Sequence, residues 1–308
     1  MSIGSREWAD WVLDEEKSVE ILDAAWDIGI NTIDTANVYS NGESERIIGK
    51  WIQKSQIPRE RLIIATKCHG LVSQDISVRT FLRPELKSQR DYVNQSGLSR
   101  AAIFNAVDAS LARLQLTYID LLQIHRFDPA VPVEETMKAL HDLVESGKVR
   151  YIGASSMRTW QFALLNETAE KKGWTKFTSM QNEYSLLYRE EEREMNAYCN
   201  YHGIGLIPWA PLAAGALARP LTISTTRSDS SKGTPFEIKH SAADEAIVKR
   251  VEELAEKKGV KMGQIALAWV GAKVASPIVG FNSVQRVLEG NASGITLSEE
   301  ETKYLEEP

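Results

Sequence analysis

The chain has 308 residues, of which 43% are apolar and 25% are charged, a balance that is typical of a globular protein and excludes extensive disorder. It carries 36 basic and 42 acidic residues, which gives a formal net charge of −6. Because no long basic run is present, nucleic acid and anionic membrane surfaces are poor candidates for its partners.

Location and metal content are indicated by what the chain lacks. Residues 1–16 have neither a basic start nor an apolar stretch, so we expect no secretory signal. The two cysteines, Cys68 and Cys199, are too few for a disulfide framework and indicate a reducing, cytoplasmic compartment. Cys199 and His202 alone cannot complete a tetrahedral site, so we expect no metal. We also expect no membrane span.

Short β-rich runs alternate with amphipathic stretches along the chain. A helix is predicted after Asp14, a second after the N-cap residue Ser99, and a third over Val133–Ser146, ending at Gly147. The candidate strands are Asn31–Asn37, Leu62–Cys68, Ile119–Arg126, Val149–Ser156, Ser179–Ser185, Gly205–Leu212 and Ser276–Asn282.

This alternation predicts an α/β fold with a parallel sheet and right-handed crossovers. An unbroken strand series without a Gly-x-Gly-x-x-Gly motif favours a closed (β/α)8 TIM barrel over an open doubly wound sheet. We predict one domain over residues 1–308. Only Met1–Gly4 remains for a first strand before the Asp14 helix, so we expect that strand to be truncated.

Polar side chains occur where apolar strands end. Asp34 lies in NTIDTAN, Lys67 ends IIATK, His125 ends LLQIH, and Tyr39 follows Asp34 by five residues. Each has a structural explanation by itself, as a cap, a lysine reaching solvent, a core histidine or a surface ring. Because strand ends of a barrel converge at one face, we predict that the four meet there.

Together these four residue types form a proton-transfer device. A tyrosine has a pKa of about 10, and a lysine ammonium beside it is expected to lower that pKa by stabilising the phenolate. An aspartate is needed to keep a buried lysine charged. A neutral histidine can then hydrogen-bond and orient a substrate oxygen.

Later segments carry groups suited to a nucleotide. Ser155, Ser156 and Gln181 could hold an amide group, and Trp209 could stack on a flat ring or simply pack in the core. Ser283 and Arg286 begin a short helix after the last candidate strand, where a phosphate could bind. Their structural alternative is an N-cap and a solvated arginine. Two long loops, His69–Gly97 and Ala213–Lys239, follow strand ends.

At this point the chain resembles the aldo-keto reductase superfamily over nearly its whole length. Within the superfamily it is similar to the fungal branch of aryl-alcohol dehydrogenase-like and versiconal hemiacetal acetate reductase-like enzymes. The departure is at the start, where a full first strand and a preceding hairpin are usual. The matching stretches are GINTIDTANVYSNGESERIIGKWI, IIATK, LARLQLTYIDLLQIHRFD, LVESGKVRYIGASS, MQNEYSLL, IPWAPLAAG and GFNSVQRVLEG.

The resemblance implies an NADPH-dependent carbonyl reductase on a (β/α)8 barrel. It makes Tyr39 the general acid, Lys67 and Asp34 its tuning pair, and His125 the residue that orients the carbonyl. The resemblance also implies contacts with the cofactor. Ser155, Ser156 and Gln181 would hold the nicotinamide amide, Trp209 would stack on the nicotinamide ring, and Pro211, Leu212 and Gly215 would lie along the pyrophosphate. Arg227 would cover the cofactor, Ser283 and Arg286 would bind the 2′-phosphate, and Glu289 would contact the adenine.

Two other functions stay open. Lys67 could form a Schiff base, as in an aldolase. Alternatively, the chain could bind a cofactor with little or no turnover because the barrel start is missing. For the reductase, the partner is a small carbonyl compound, and an aromatic one is compatible with Phe127 and with Phe81, Leu82 and Tyr92 of the first long loop.

Overall fold

The computed structural model describes residues 1–225, 229, 233 and 239–308. Their contacts divide the chain into two compact units, Met1–Gln181 (unit 1) and Asn182–Pro308 (unit 2). Arg227, predicted to cover the cofactor, lies outside the described residues, as does part of the Ala213–Lys239 loop. The single domain over residues 1–308 stays a prediction.

Unit 1, which is described throughout, contains a parallel sheet whose strands follow one another in chain order. The register pairs Lys67 with Gln123 and Ser155 with Gln181, so the carboxyl ends of the strands lie along one edge. Each strand falls within a predicted range, and the parallel α/β sheet is confirmed. The strands are β1 Thr32–Asp34, β2 Ile63–Cys68, β3 Ile119–Ile124, β4 Val149–Ser155 and β5 Ser179–Gln181.

Helices connect these strands, as the apolar periodicity predicts. The Ser99 hydroxyl accepts a hydrogen bond from the Ala102 amide at 3.3 Å, which confirms the predicted N-cap. Gly147 follows the fourth helix with φ +75°, a conformation that glycine adopts without strain. The helices of unit 1 are α1 Glu15–Asp27, α2 Glu43–Ser55, α3 Arg100–Leu114, α4 Val133–Glu145 and α5 Thr159–Lys172, with 3-10 turns at Tyr39–Gly42, Arg59–Arg61, Thr80–Leu82 and Pro84–Ser88.

The first fourteen residues form a loop with a single bridge instead of a strand. Ile3 pairs with Leu13, the Gly4 amide donates to the Leu13 carbonyl at 2.9 Å, and the Leu13 amide donates to the Ser2 carbonyl at 2.8 Å. The start and the end of this segment are therefore hydrogen-bonded to each other. Closure of the sheet into an eight-stranded barrel stays a prediction.

Unit 2 packs its helices around a core that includes Trp269 and Tyr184, whose ring centroids are 5.2 Å apart. The predicted strand Ser276–Asn282 is wrong, because residues 276–281 have no regular structure. The Ser276 amide donates to the Leu206 carbonyl at 3.3 Å and the Ile278 amide to the Pro208 carbonyl at 2.8 Å, but Pro208 has no amide hydrogen to donate back, so the ladder is incomplete. The described elements are 3-10 turns Glu190–Glu192 and Ala213–Ala218, strand β6 Gly205–Leu206, and helices α6 Met195–Tyr201, α7 Ala242–Lys258, α8 Met262–Gly271, α9 Val284–Glu289 and α10 Glu299–Glu306.

Within the part of the chain that the structure describes, no helix is long and apolar enough to cross a membrane. In the same residues, no group of three or more His, Cys, Asp or Glu side chains could hold a metal ion. Both cysteines are buried and free of disulfides, and burial raises the pKa of the Cys68 thiol to about 12. Such a thiol is unreactive at neutral pH.

A buried ion pair joins α2 to α3 and β2. The fully buried Glu45 carboxylate accepts hydrogen bonds from the Arg113 guanidinium and from the Thr66 hydroxyl, both at 2.6 Å. Because both carboxylate oxygens are bonded, the charge is compensated inside the fold. Glu45, the second glutamate of the NGESE stretch, is therefore structural.

We expect E45A to lower the free energy of unfolding by about 3 kcal/mol, because it leaves the largely buried Arg113 guanidinium and the buried Thr66 hydroxyl without their partner. Urea denaturation of the variant and the wild type measures this loss. K50A, which breaks the exposed pair between Lys50 and Glu15, is the control and should change stability little. Equal effects of the two substitutions would contradict the structural role of Glu45.

Candidate functional site

The four candidate catalytic side chains lie together at the carboxyl edge of the sheet in unit 1. The Lys67 ammonium donates to Asp34 Oδ2 and, at 3.0 Å, to the Thr35 carbonyl. The Tyr39 ring centroid is 5.3 Å from Lys67 Nζ and 6.0 Å from the centroid of the His125 ring. The geometric expectation that these four groups converge is thus met, as parallel strands dictate.

Tyr39 is positioned by a tight left-handed turn. The next residues, Ser40 and Asn41, have φ values of +46° and +50°. Asn41 Oδ1 accepts from the Ser73 amide at 3.0 Å, and Asn41 Nδ2 donates to the carbonyls of Asp75 at 3.0 Å and Val78 at 2.7 Å. The turn that carries Tyr39 is therefore fastened to the loop after β2. The Ser-Asn-Gly triplet could have signalled this, since asparagine tolerates the left-handed region.

Burial favours the neutral form of both the Tyr39 phenol and the Lys67 amine. Lys67 is only 1% exposed, and burial lowers its pKa, but the charge of Asp34 and the hydrogen bonds to Asp34 and Tyr39 outweigh this and leave the pKa raised. Burial raises the pKa of Tyr39, and Lys67 offsets this only in part. The net shift of the Tyr39 pKa is therefore upward, contrary to the sequence expectation, because desolvation of the phenolate outweighs the nearby ammonium.

His125 is a neutral imidazole at neutral pH. Burial lowers its pKa well below the usual range, and the charges of Lys67 and Arg126 lower it further. His69, which follows β2, also has its pKa lowered by burial, with Asp128 opposing the shift. His69 was missed by the sequence reasoning because it belongs to the irregular start of a loop.

The residues predicted to hold an amide lie at the ends of β4 and β5. Gln181 Nε2 donates to Asp34 Oδ1 and to Gln123 Oε1, both at 2.8 Å, so the side chain has only its oxygen to offer a ligand. The buried Ser155 hydroxyl donates to the Gln181 carbonyl at 2.8 Å, and Ser156 adopts φ +36°. Gln123 was missed, although it lies on the same face of β3 as His125, two residues earlier.

In unit 2, the predicted ring-stacking residue leads into an irregular turn. The Trp209 amide donates to the Asn182 carbonyl at 2.8 Å, and its side chain is partly exposed. The turn over residues 210–215 contains Pro211 and Leu212, and φ is positive at 210 and at 213–215. Gly215 reaches +96°, and its carbonyl accepts from Arg219 Nη1 at 2.9 Å.

The predicted phosphate-binding residues begin α9. The Ser283 hydroxyl accepts from the Arg286 amide at 3.3 Å and caps the helix, while the Arg286 side chain is exposed. Burial and the charge of Arg286 lower the pKa of Arg219, a cation that the sequence reasoning missed. Glu289, predicted at the adenine, accepts from Gln285 Nε2 at 3.0 Å.

Each unit, taken by itself, carries polar groups that suit part of a nucleotide. Unit 1 provides an amide oxygen on Gln181 beside a proton-transfer group. Unit 2 provides the like-charged pair Arg219 and Arg286, which an anion would stabilise. In the turn with successive positive φ values, the amides of Ala213 and Gly215 already donate to the carbonyls of Ala210 and Leu212, both at 2.8 Å.

Comparison with known proteins supports the same chemistry. The chain is 53% identical over 313 residues to the aldo-keto reductase AFTS1 of Alternaria alternata, covering 99% of this chain and 86% of that protein. It is 50% identical over 313 residues to the versiconal hemiacetal acetate reductase of Aspergillus parasiticus, with 100% and 91% covered. It is 51% identical over 318 residues to the putative aryl-alcohol dehydrogenase C750.01 of Schizosaccharomyces pombe, with 100% and 97% covered.

A family model also matches almost the whole chain. The model for the Aldo/keto reductase family matches residues 1–307. The resemblance to this superfamily and to relatives with aryl-alcohol dehydrogenase and versiconal hemiacetal acetate reductase names is confirmed. With the four converging side chains in unit 1, this match establishes that the chain belongs to the Aldo/keto reductase family of oxidoreductases.

Proposed function

We propose that the chain reduces an aldehyde or ketone to an alcohol with NADPH, and that Tyr39 donates the proton. The observation that carries this proposal is the buried Lys67–Asp34 ion pair beside the Tyr39 ring. A buried ammonium next to a phenol is an arrangement for moving a proton. The substrate chemistry fits the reductase names of the relatives.

The residues divide the work according to their protonation. NADPH, when bound, supplies the hydride to the carbonyl carbon. The neutral His125 donates a hydrogen bond to the carbonyl oxygen and orients it, and Tyr39, protonated at neutral pH, gives its proton to that oxygen. The Lys67 ammonium stabilises the phenolate that remains, and Asp34 keeps Lys67 charged.

Cofactor binding is proposed separately for the two units. In unit 1, Gln181 Oε1 accepts a hydrogen bond from the nicotinamide amide, with Ser155 and Ser156 next to it. In unit 2, Arg286 and Ser283 bind the 2′-phosphate, which favours NADP over NAD. Stacking by Trp209, pyrophosphate contacts by Pro211, Leu212 and Gly215, and the adenine contact of Glu289 stay predictions.

An aromatic carbonyl compound is the proposed substrate class. Phe127, two residues after His125, makes an edge contact with Trp160 at 6.1 Å, and Trp160 is 58% exposed. The partly exposed ring of Phe127, after β3, and the exposed ring of Trp160, in the first turn of α5, can stack on a flat substrate. Relatives named aryl-alcohol dehydrogenase agree with this class.

A Schiff-base aldolase is disfavoured by the state of Lys67. Imine formation needs an accessible neutral amine, whereas this amine is almost fully buried and held as an ammonium by Asp34. Binding of cofactor without turnover is the remaining alternative. Measuring both NADPH binding and carbonyl reduction by the wild type separates it from the reductase.

We expect Y39F to lose carbonyl-dependent NADPH oxidation by at least about a hundredfold, the low end of general-acid contributions. Its affinity for NADPH, measured by quenching of tryptophan fluorescence, should stay close to that of the wild type. Y201F, at an exposed tyrosine of unit 2, is the matched control and should keep full activity. Full activity of Y39F would refute the proposed proton donor, and a wild type that binds NADPH without reducing any carbonyl compound would favour the alternative.

We expect R286A to weaken NADPH binding by about tenfold to a hundredfold, since a charged hydrogen bond to a phosphate is lost. NADH lacks the 2′-phosphate, so its binding should not change. Initial rates with each cofactor at varied concentration measure the difference, with Q285A on the same helix as the control. An equal effect on both cofactors would contradict the assignment.

We expect part of the stability of the enzyme to be lost between pH 6.5 and pH 5.5 because of His125. Its folded-state pKa is lowered, so the unfolded chain binds the proton first as pH falls, and stability present above pH 6.5 decreases. Urea denaturation of H125Q should show a decrease smaller than that of the wild type by about 1 kcal/mol over this range. Parallel pH dependences of the two proteins would show that His125 is not buried as a neutral group.

A further inference from the structure

One buried side chain contacts both the proton-transfer pair and the residue proposed to bind the nicotinamide amide. Gln123 is fully buried on β3, and its Nε2 donates to Asp34 Oδ1 at 2.9 Å. Its Oε1 accepts from Gln181 Nε2 at 2.8 Å, and the same nitrogen of Gln181 donates to Asp34 Oδ1 at 2.8 Å. We call Asp34, Gln123 and Gln181 the amide–carboxylate triangle.

We propose that Gln123 is a positioning residue that sets the orientation of Asp34 towards Lys67 and of the Gln181 amide oxygen towards the nicotinamide. This inference rests on the proposed function and adds a residue to it. Gln123 acts through its two neighbours and does not touch the substrate.

The geometry leaves each member of the triangle one orientation. Asp34 Oδ2 accepts from Lys67, and both amide nitrogens point at Oδ1, so rotation of the carboxylate would break three hydrogen bonds. Gln181 uses both of its Nε2 hydrogens, one on Asp34 and one on Gln123. A flip of the Gln181 amide would bring its oxygen against the Asp34 carboxylate and against Gln123 Oε1, where only repulsion is available. Gln123 is hydrogen-bonded to both of the other two.

The apolar, similar-sized substitution Q123M removes both hydrogen bonds. We expect it to weaken NADPH binding and to lower kcat, each by about tenfold, because Gln181 loses one of the two acceptors that fix its amide and Asp34 loses a donor. Fluorescence quenching and initial rates measure the two effects. T136V removes a buried hydroxyl that donates to the Leu98 carbonyl, away from the triangle, and it should lower the melting temperature without either effect.

The substitution Q123E separates positioning from general packing. Its carboxyl group keeps an oxygen for Gln181 and can donate to Asp34 only while it is protonated. As pH rises, it ionises against Asp34, so kcat should fall with an ionisation that the wild type lacks, while NADPH affinity at low pH stays within about threefold of the wild type. Loss of packing alone cannot create a new ionisation in a rate profile.

The outcomes separate this inference from the proposed function. If the wild type reduces carbonyl compounds, Y39F does not, and Q123M and Q123E match the wild type in NADPH affinity and in the pH profile of kcat, the positioning role is overturned and the reductase stands. If the wild type neither binds NADPH nor turns over, both proposals fail. If Q123M does not fold, the pH profile of Q123E decides, and an unchanged profile overturns the inference.

Discussion

The proposed chemistry of this protein depends on one ammonium group that is kept charged away from water. Removing a lysine from solvent strongly favours its neutral form unless a carboxylate and further acceptors compensate for the lost hydration. Asp34 and the Thr35 carbonyl provide this compensation. The register of the sheet makes it possible, since Asp34 pairs with Ala65 and so lies two residues from Lys67 along the neighbouring strand.

The same burial has opposite results for neighbouring groups. Lys67 stays charged because it has a counter-ion, whereas His125, close to the positive charges of Lys67 and Arg126, becomes neutral. Tyr39 keeps its proton because burial outweighs the ammonium. A charged lysine, a neutral histidine and a protonated phenol thus coexist at one sheet edge, and each is in the state that proton donation to a carbonyl oxygen requires.

Some of this could be predicted from the sequence, and the rest needed the structure. Asp34, Lys67 and His125 end apolar runs, and parallel strands bring such ends together, so their convergence follows from the pattern alone. Gln123 has partners 89 and 58 residues away, and an amide inside an apolar strand does not indicate them. The upward shift of the Tyr39 pKa depends on how deeply the ring is buried, which a sequence does not state. The strand predicted over Ser276–Asn282 failed because the apolar content of that segment does not show that Pro208, in the facing segment, has no amide hydrogen to donate.

The contacts of Asn41 bear on how such an enzyme can evolve. Asn41 holds the loop after β2 only through main-chain atoms, namely the Ser73 amide and the carbonyls of Asp75 and Val78. Mutations that replace side chains on this loop therefore leave those contacts intact. Selection can diversify the loop surface over generations while the phenol proposed to donate the proton keeps its place.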